Sequence, residues 1–140
     1  MKAYLTRAYM FSASHRLHCV DFSPEKNVEV YGKCNNPHGH GHNYRIEVTV
    51  AGQVDPKLGM ICDLGELDTF VQNEILERYG LANLNTFPEF KDVVPTTENL
   101  SVEIFNRIRS GFNPAQVTKV RIQETAMNSF EYSGGAALRN

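Results

Sequence analysis

Eleven residues, Cys34-Asn35-Asn36-Pro37-His38-Gly39-His40-Gly41-His42-Asn43-Tyr44, carry one thiol and three imidazoles. A further imidazole, His15, stands upstream in the run Ser12-Ala13-Ser14-His15-Arg16-Leu17. Neutral imidazoles are ligands for divalent transition metals, zinc above all, and a thiol beside a cation ionises more readily. Metal-assisted enzyme chemistry, with Cys34 as base or nucleophile, is the first expectation. Cys34 could also be a fourth metal ligand, which would close the site and make it structural.

The spacing favours an open site. His40 and His42 are two apart, so on a strand they point to one face. They share parity with Tyr44, Ile46 and Val48, the apolar half of an alternating run from Asn43 to Val50. His15 ends an earlier extended segment and shares parity with Phe11 and Ala13. If the two strands pair as a hairpin, His15 meets His40 and His42. Three imidazoles with one coordination position free describe a catalytic zinc site, with Asn43 or a backbone carbonyl available to orient the rings. His38, on the loop side of Gly39, reads as a loop histidine, and His18 as a surface residue. Cys62 reads as core and Cys19 as unremarkable.

A carboxylate completes the candidate chemistry. Val120, Ile122 and Glu124 share parity on a late strand, so Glu124 points to the buried side, where it needs a partner. A carboxylate there can pair with a structural cation or accept paired N–H bonds from an amidine-like ligand edge. Thr96 and Thr97 are candidate helix caps, and the same helix start can offer free N–H groups to a ligand.

These residues need strands and helices to position them. Residues 2–14 are expected to be extended and residues 21–41 turn-rich. Asp63 followed by Glu66 reads as a capping box before Leu64, Leu67, Phe70, Val71 and Ile75 at helical spacing, with Gly80 as the stop. A second helix is expected from Thr96 or Thr97 to Gly111, with Leu100, Ile104 and Ile108 on one stripe. Residues 117–124 and 128–133 read as closing strands. The order ββααββ predicts an α+β fold: an antiparallel four-stranded sheet with two helices on one face. The 140 residues suffice for a single domain spanning 1–140. Such a small sheet has edges that invite self-association.

Composition excludes several function classes. The net charge is −2 and no basic run tracks a phosphate backbone, so no nucleic-acid partner is expected. No apolar stretch is long enough for a membrane span, and the start lacks a signal-peptide layout. Three irregularly spaced cysteines argue against a disulfide framework and for a reducing, cytoplasmic location.

Taken together, these motifs resemble the 6-pyruvoyltetrahydropterin synthase and 6-carboxytetrahydropterin synthase family. The likeness runs through Phe11–Leu17, Tyr31–Tyr44, Asp55–Met60, Pro95–Leu100 and Val120–Thr125, and the Cys-x5-His-Gly-His spacing follows the pyruvoyl type. The resemblance implies a tunnelling fold, or T-fold, assembled as a homohexamer of two stacked trimers. It implies zinc on His15, His40 and His42, Cys34 as the proton-abstracting base, and Glu124 as the pterin anchor with Thr96 and Thr97 nearby. The implied substrate is 7,8-dihydroneopterin triphosphate, with Lys33, Arg16 or Lys26 as candidates to meet the triphosphate.

One departure stands out. The family carries an Asp-His pair after its first helix, where this chain reads Tyr79-Gly80-Leu81-Ala82-Asn83-Leu84, and no histidine follows His42. Losing an acid–base group typically removes about 10²–10⁴ in rate. Three readings follow: a pyruvoyl-type synthase, a carboxy-forming or side-chain-cleaving relative, or a weakly catalytic zinc-containing pterin binder.

Overall fold

The computed structural model describes residues 1–135. Strand β1 (Lys2–His15) runs antiparallel to β2 (His40–Gln53) with an unbroken register from Lys2 opposite Gln53 to His15 opposite His40. Strand β4 (Gln116–Thr125) lies against the other side of β2, and β5 (Asn128–Tyr132) against β4. The helix following residue 63 has three parts: α2 (Leu64–Val71), a π-turn (Gln72–Leu76) and a last turn, α3 (Glu77–Tyr79). Helix α4 (Thr97–Gly111) closes the helical layer.

Three features go beyond the sequence expectation. The sheet has five strands, not four, in the order β3-β1-β2-β4-β5. The extra strand, β3 (Ala82–Asn83), is two residues long and pairs parallel to β1 at Ala13 and Ser14, so the sheet is mixed. A short helix, α1 (Pro24–Tyr31), stands where turns were expected. Ser23 caps it by accepting from the Lys26 N–H, and Pro24 occupies the first turn.

Alternation along the strands builds one core. Phe11, Tyr44, Ile46, Val48, Val120 and Ile122 project from the sheet to meet Leu67, Val71, Ile75, Leu100, Ile104 and Ile108 from the helices. Asp63 caps α2 by accepting from Gly65 N–H, and Thr96 caps α4 by accepting from Asn99 N–H.

Irregularities in β4 serve the site. Its register against β5 slips between Gln123 and Thr125, leaving Glu124 as the extra residue. Such a bulge bends the strand and re-aims a side chain at the sheet end.

Candidate active site

The hairpin of β1 and β2 brings three imidazoles together. His15 and His40 are register partners, and their Nε2 atoms lie 3.1 Å apart. His42, two residues along, places its ring centroid 5.1 Å from that of His15 and 4.8 Å from that of His40. One ligand atom from each of the three lies within 4.8 Å of the others. Tetrahedral zinc with nitrogen at about 2.05 Å would separate its ligands by roughly 3.3 Å, so small ring movements suffice.

The donor set passes a second test. His15 is 1% exposed, and its Nδ1 lies 2.7 Å from the Pro95 carbonyl. That carbonyl can only accept, so Nδ1 carries the proton and Nε2 keeps its lone pair for a metal. His42 Nε2 is buried without a hydrogen-bond partner, although Glu124 Oε1 is 3.3 Å away. An orphaned buried nitrogen aimed at the meeting point of two others is what a metal ion would satisfy. Burial holds the protonation of His15 below the ordinary imidazole range, with His40 and His42 adding repulsion. Burial and the charge of His42 do the same for His40. Both shifts favour the neutral form of these two rings.

Glu124 sits beside the triad. The hydroxyl of Thr97, buried at the start of α4, donates to Glu124 Oε2. Thr96 spends its own hydroxyl on capping α4. Below them Tyr44 is fully buried, and its hydroxyl lies beside Thr97 without a well-formed hydrogen bond.

Cys34 comes from a single 3-10 turn, Gly32–Asn35, between α1 and β2. The turn is zipped to the chain just after His15. Leu17 N–H donates to the Cys34 carbonyl at 2.8 Å, Arg16 Nε to the Asn35 carbonyl at 3.1 Å, and Asn35 Nδ2 to the Leu17 carbonyl at 2.8 Å. Cys34 is half-buried and stands outside the set of converging ligand atoms. Burial pushes its thiol up, and the Glu124 carboxylate pushes it further. A nearby cation would work in the opposite direction.

Sequence reasoning missed Asn35 and Pro95. Asn35 is 6% exposed and ties the thiol turn to the segment just after β1, while Pro95 orients the His15 ring. Neither had a spacing signal, because both act through contacts between distant segments. Leu81, where the resemblance led a histidine to be expected, is 93% exposed with φ of +57°. Its N–H donates to the Ser12 carbonyl, which fixes the entry into β3.

The chain and its fold have known relatives. The family model described as 6-pyruvoyl tetrahydropterin synthase matches residues 4–135. The 6-pyruvoyl tetrahydrobiopterin synthase of Poecilia reticulata is 46% identical over 132 residues, covering 94% of this chain and 90% of that protein. The human protein of the same name is 41% identical, covering 95% and 92%. The solved structure of Caenorhabditis elegans 6-pyruvoyl tetrahydropterin synthase superposes with a TM-score of 0.91 at 39% identity, covering 96% of this chain and 97% of that one. The chain belongs to the 6-pyruvoyl tetrahydropterin synthase family. It is an enzyme of that lyase type and has the family's tunnelling fold, with a histidine triad able to hold a metal ion. Among the described residues no helix is long and apolar enough to cross a membrane.

Proposed function

We propose that this chain is a zinc-dependent 6-pyruvoyltetrahydropterin synthase acting on 7,8-dihydroneopterin triphosphate. The observation that carries the proposal is convergence: a histidine triad and a carboxylate tied to Thr97 meet at the ends of β1, β2 and β4 and the start of α4, with the Cys34 thiol near enough to feel the Glu124 charge. His15, His40 and His42 would hold the metal. When bound, the ion would polarise the substrate's side-chain hydroxyls and acidify the adjoining C–H bonds. Glu124, with Thr97 and the α4 start at Thr96, anchors the pterin by accepting paired N–H bonds. Cys34, as thiolate, removes side-chain protons, triphosphate leaves, and internal redox gives the 6-pyruvoyl product. The chain would act as one pterin-binding domain, in a homohexamer of two stacked trimers, in a reducing cytoplasmic compartment.

One observation favours a second reading. Leu81 is apolar and solvent-facing where the family carries the histidine of its Asp-His pair, so the usual relay for protons is missing. With that relay incomplete, the outcome could be carboxy formation, side-chain cleavage, or pterin binding with little turnover.

Incubation with 7,8-dihydroneopterin triphosphate and identification of the product separates these outcomes. The pyruvoyl reading expects triphosphate release with a 6-pyruvoyl product, and about one zinc per chain by elemental analysis. Cys34→Ala should lower turnover by about 10²–10⁴ while leaving the zinc content intact. Products unchanged by that substitution would remove Cys34 from the chemistry.

A further inference from the structure

The turn that carries Cys34 cannot hold itself. Gly32–Asn35 is a single turn of 3-10 helix, a form with poorer hydrogen-bond geometry than the α-helix and too short here for propagation to offset its nucleation. The segment it leans on is the opposite case. Residues 16–19, directly after the His15 ligand, are pinned at both ends by asparagine side chains. Asn85 accepts from the Arg16 N–H at 2.7 Å and donates to the Arg16 carbonyl at 2.8 Å. Asn27, fully buried, treats Cys19 in the same way, at 2.8 and 3.0 Å. These four residues form a fixed rail leading out of β1.

The thiol turn is fastened to that rail, and the fastening ends on His18. Asn35 Nδ2 donates one proton to the Leu17 carbonyl at 2.8 Å. A carbonyl can only accept, so the orientation of the Asn35 amide is settled. The second amide proton faces His18 Nδ1 at 3.0 Å, which makes that nitrogen the acceptor and leaves the proton of the neutral ring on Nε2. His15 shows the opposite tautomer, with Nδ1 on the Pro95 carbonyl. Asn35 is buried, so without His18 its second amide proton would be a buried donor left unsatisfied. His18 is itself half-buried rather than a surface residue. The far end of the loop is also close to the rail, since a Cβ at Gly39 would stand 2.9 Å from the His15 carbonyl oxygen.

We propose that His18 is a positioning residue for Cys34, and that by accepting from Asn35 it holds the thiol turn in place at the end of β1. The inference rests on the proposed function for what Cys34 does there, but not for the latch itself. A base must be kept within reach of the proton it removes, and a misplacement of about 1 Å can cost on the order of 10² in rate. Neither His18 nor Asn35 belongs to the converging ligand set, so opening the latch should leave the metal bound.

Two substitutions in the zinc-loaded full chain test the assignment. His18→Leu fills much of the space of the ring and removes the acceptor. His18→Asn places an amide oxygen where Nδ1 stood and restores it. Alkylation of Cys34 by iodoacetamide, followed on its own peptide by mass spectrometry, reads the thiol without any substrate. The latch requires His18→Leu to raise the alkylation rate about tenfold and to lower kcat for dihydroneopterin triphosphate about tenfold, with KM and zinc content little changed. His18→Asn should bring both rates back to within about twofold of the wild type. Unchanged alkylation in His18→Leu overturns the proposal. So does a His18→Asn protein that behaves like His18→Leu, because the ring would then act through its bulk. Should His18→Leu fail to fold, nitrogen NMR of the wild type decides: the latch requires the His18 proton on Nε2, and a proton on Nδ1 overturns it. Faster alkylation that asparagine reverses, with no turnover in the wild type, keeps the latch and rejects the synthase reading.

Discussion

Three imidazoles packed within contact of one another cost the free protein something at low pH. An imidazole in the unfolded chain titrates near 6.5, whereas burial holds His15 and His40 below that in the fold. The unfolded chain therefore binds more protons once pH falls below about 6.5, and stability is lost as pH drops toward the folded values. Above 6.5 the stabilisation is fully present. Metal-free protein should accordingly show a falling Tm between about pH 7.5 and pH 5.5 in scanning calorimetry. His40→Gln should flatten that slope, because it removes one of the two depressed groups and the Nε2 that faces His15 at 3.1 Å. A Tm unchanged across that interval would mean that the rings are not held neutral by burial. The same competition makes metal retention pH-dependent, since protons and metal seek the same lone pairs.

At the level of elements, the loop from β3 to α4 decides where Pro95, Thr96 and Thr97 stand, and Glu89 clamps it. Its carboxylate takes a two-pronged contact from Arg78, at 2.9 and 2.8 Å, and bonds from Arg107 and Tyr79. Burial alone would raise its pKa, but the Arg78 hydrogen bonds, helped by Tyr79 and Arg107, outweigh it and bring it down to about 2. Glu89→Gln leaves two guanidinium groups facing a neutral amide. With the carboxylate mostly buried and the arginines partly exposed, the expected loss is about 2 kcal/mol in denaturant unfolding. The wild-type contribution is present above about pH 4.5 and fades as pH falls toward 2, so the two proteins should converge in acid. This clamp was not legible in the sequence, because Arg78, Glu89 and Arg107 belong to three separate segments. The long strands and the caps at Asp63 and Thr96 were legible, since alternation and local capping are short-range signals. So was the meeting of His15 with His40, because parity and hairpin pairing fix it. Helix α1 was hidden among turn formers, although Ser23-Pro24-Glu25 carries a capping signal. Strand β3 had none, as its two residues are set by pairing with distant Ala13 and Ser14 and by the bond from Leu81 to Ser12. Glu124 was legible by parity, but the bulge that aims it was not.

For the whole molecule, the unfinished edge of the sheet matters most. On its outer side β1 pairs with β3 only at Ala13 and Ser14, so Lys2 to Phe11 forms a long edge among the described residues. The Ser12 carbonyl points to that edge, since it accepts from Leu81 N–H. Residues alternate along an antiparallel strand, and the register with β2 is unbroken, so Thr6, Ala8 and Met10 turn their backbone groups the same way. Tyr4 and Met10, with exposures of 64% and 65%, stand on the strand's exposed face. A long open strand edge bearing apolar side chains is a template for another copy, and closing such edges by assembly removes the hazard. Ala8→Pro tests whether the proposed hexamer uses this edge. Proline there removes only an outward-facing N–H, so the pairing of β1 with β2 should survive. Light scattering should report an assembly near six times the 15.8 kDa chain mass for the wild type and a smaller species for the variant, with far-UV circular dichroism preserved. A variant that keeps the wild-type mass would place the subunit contacts on other surfaces, and β1 would need some other protection from edge-to-edge pairing.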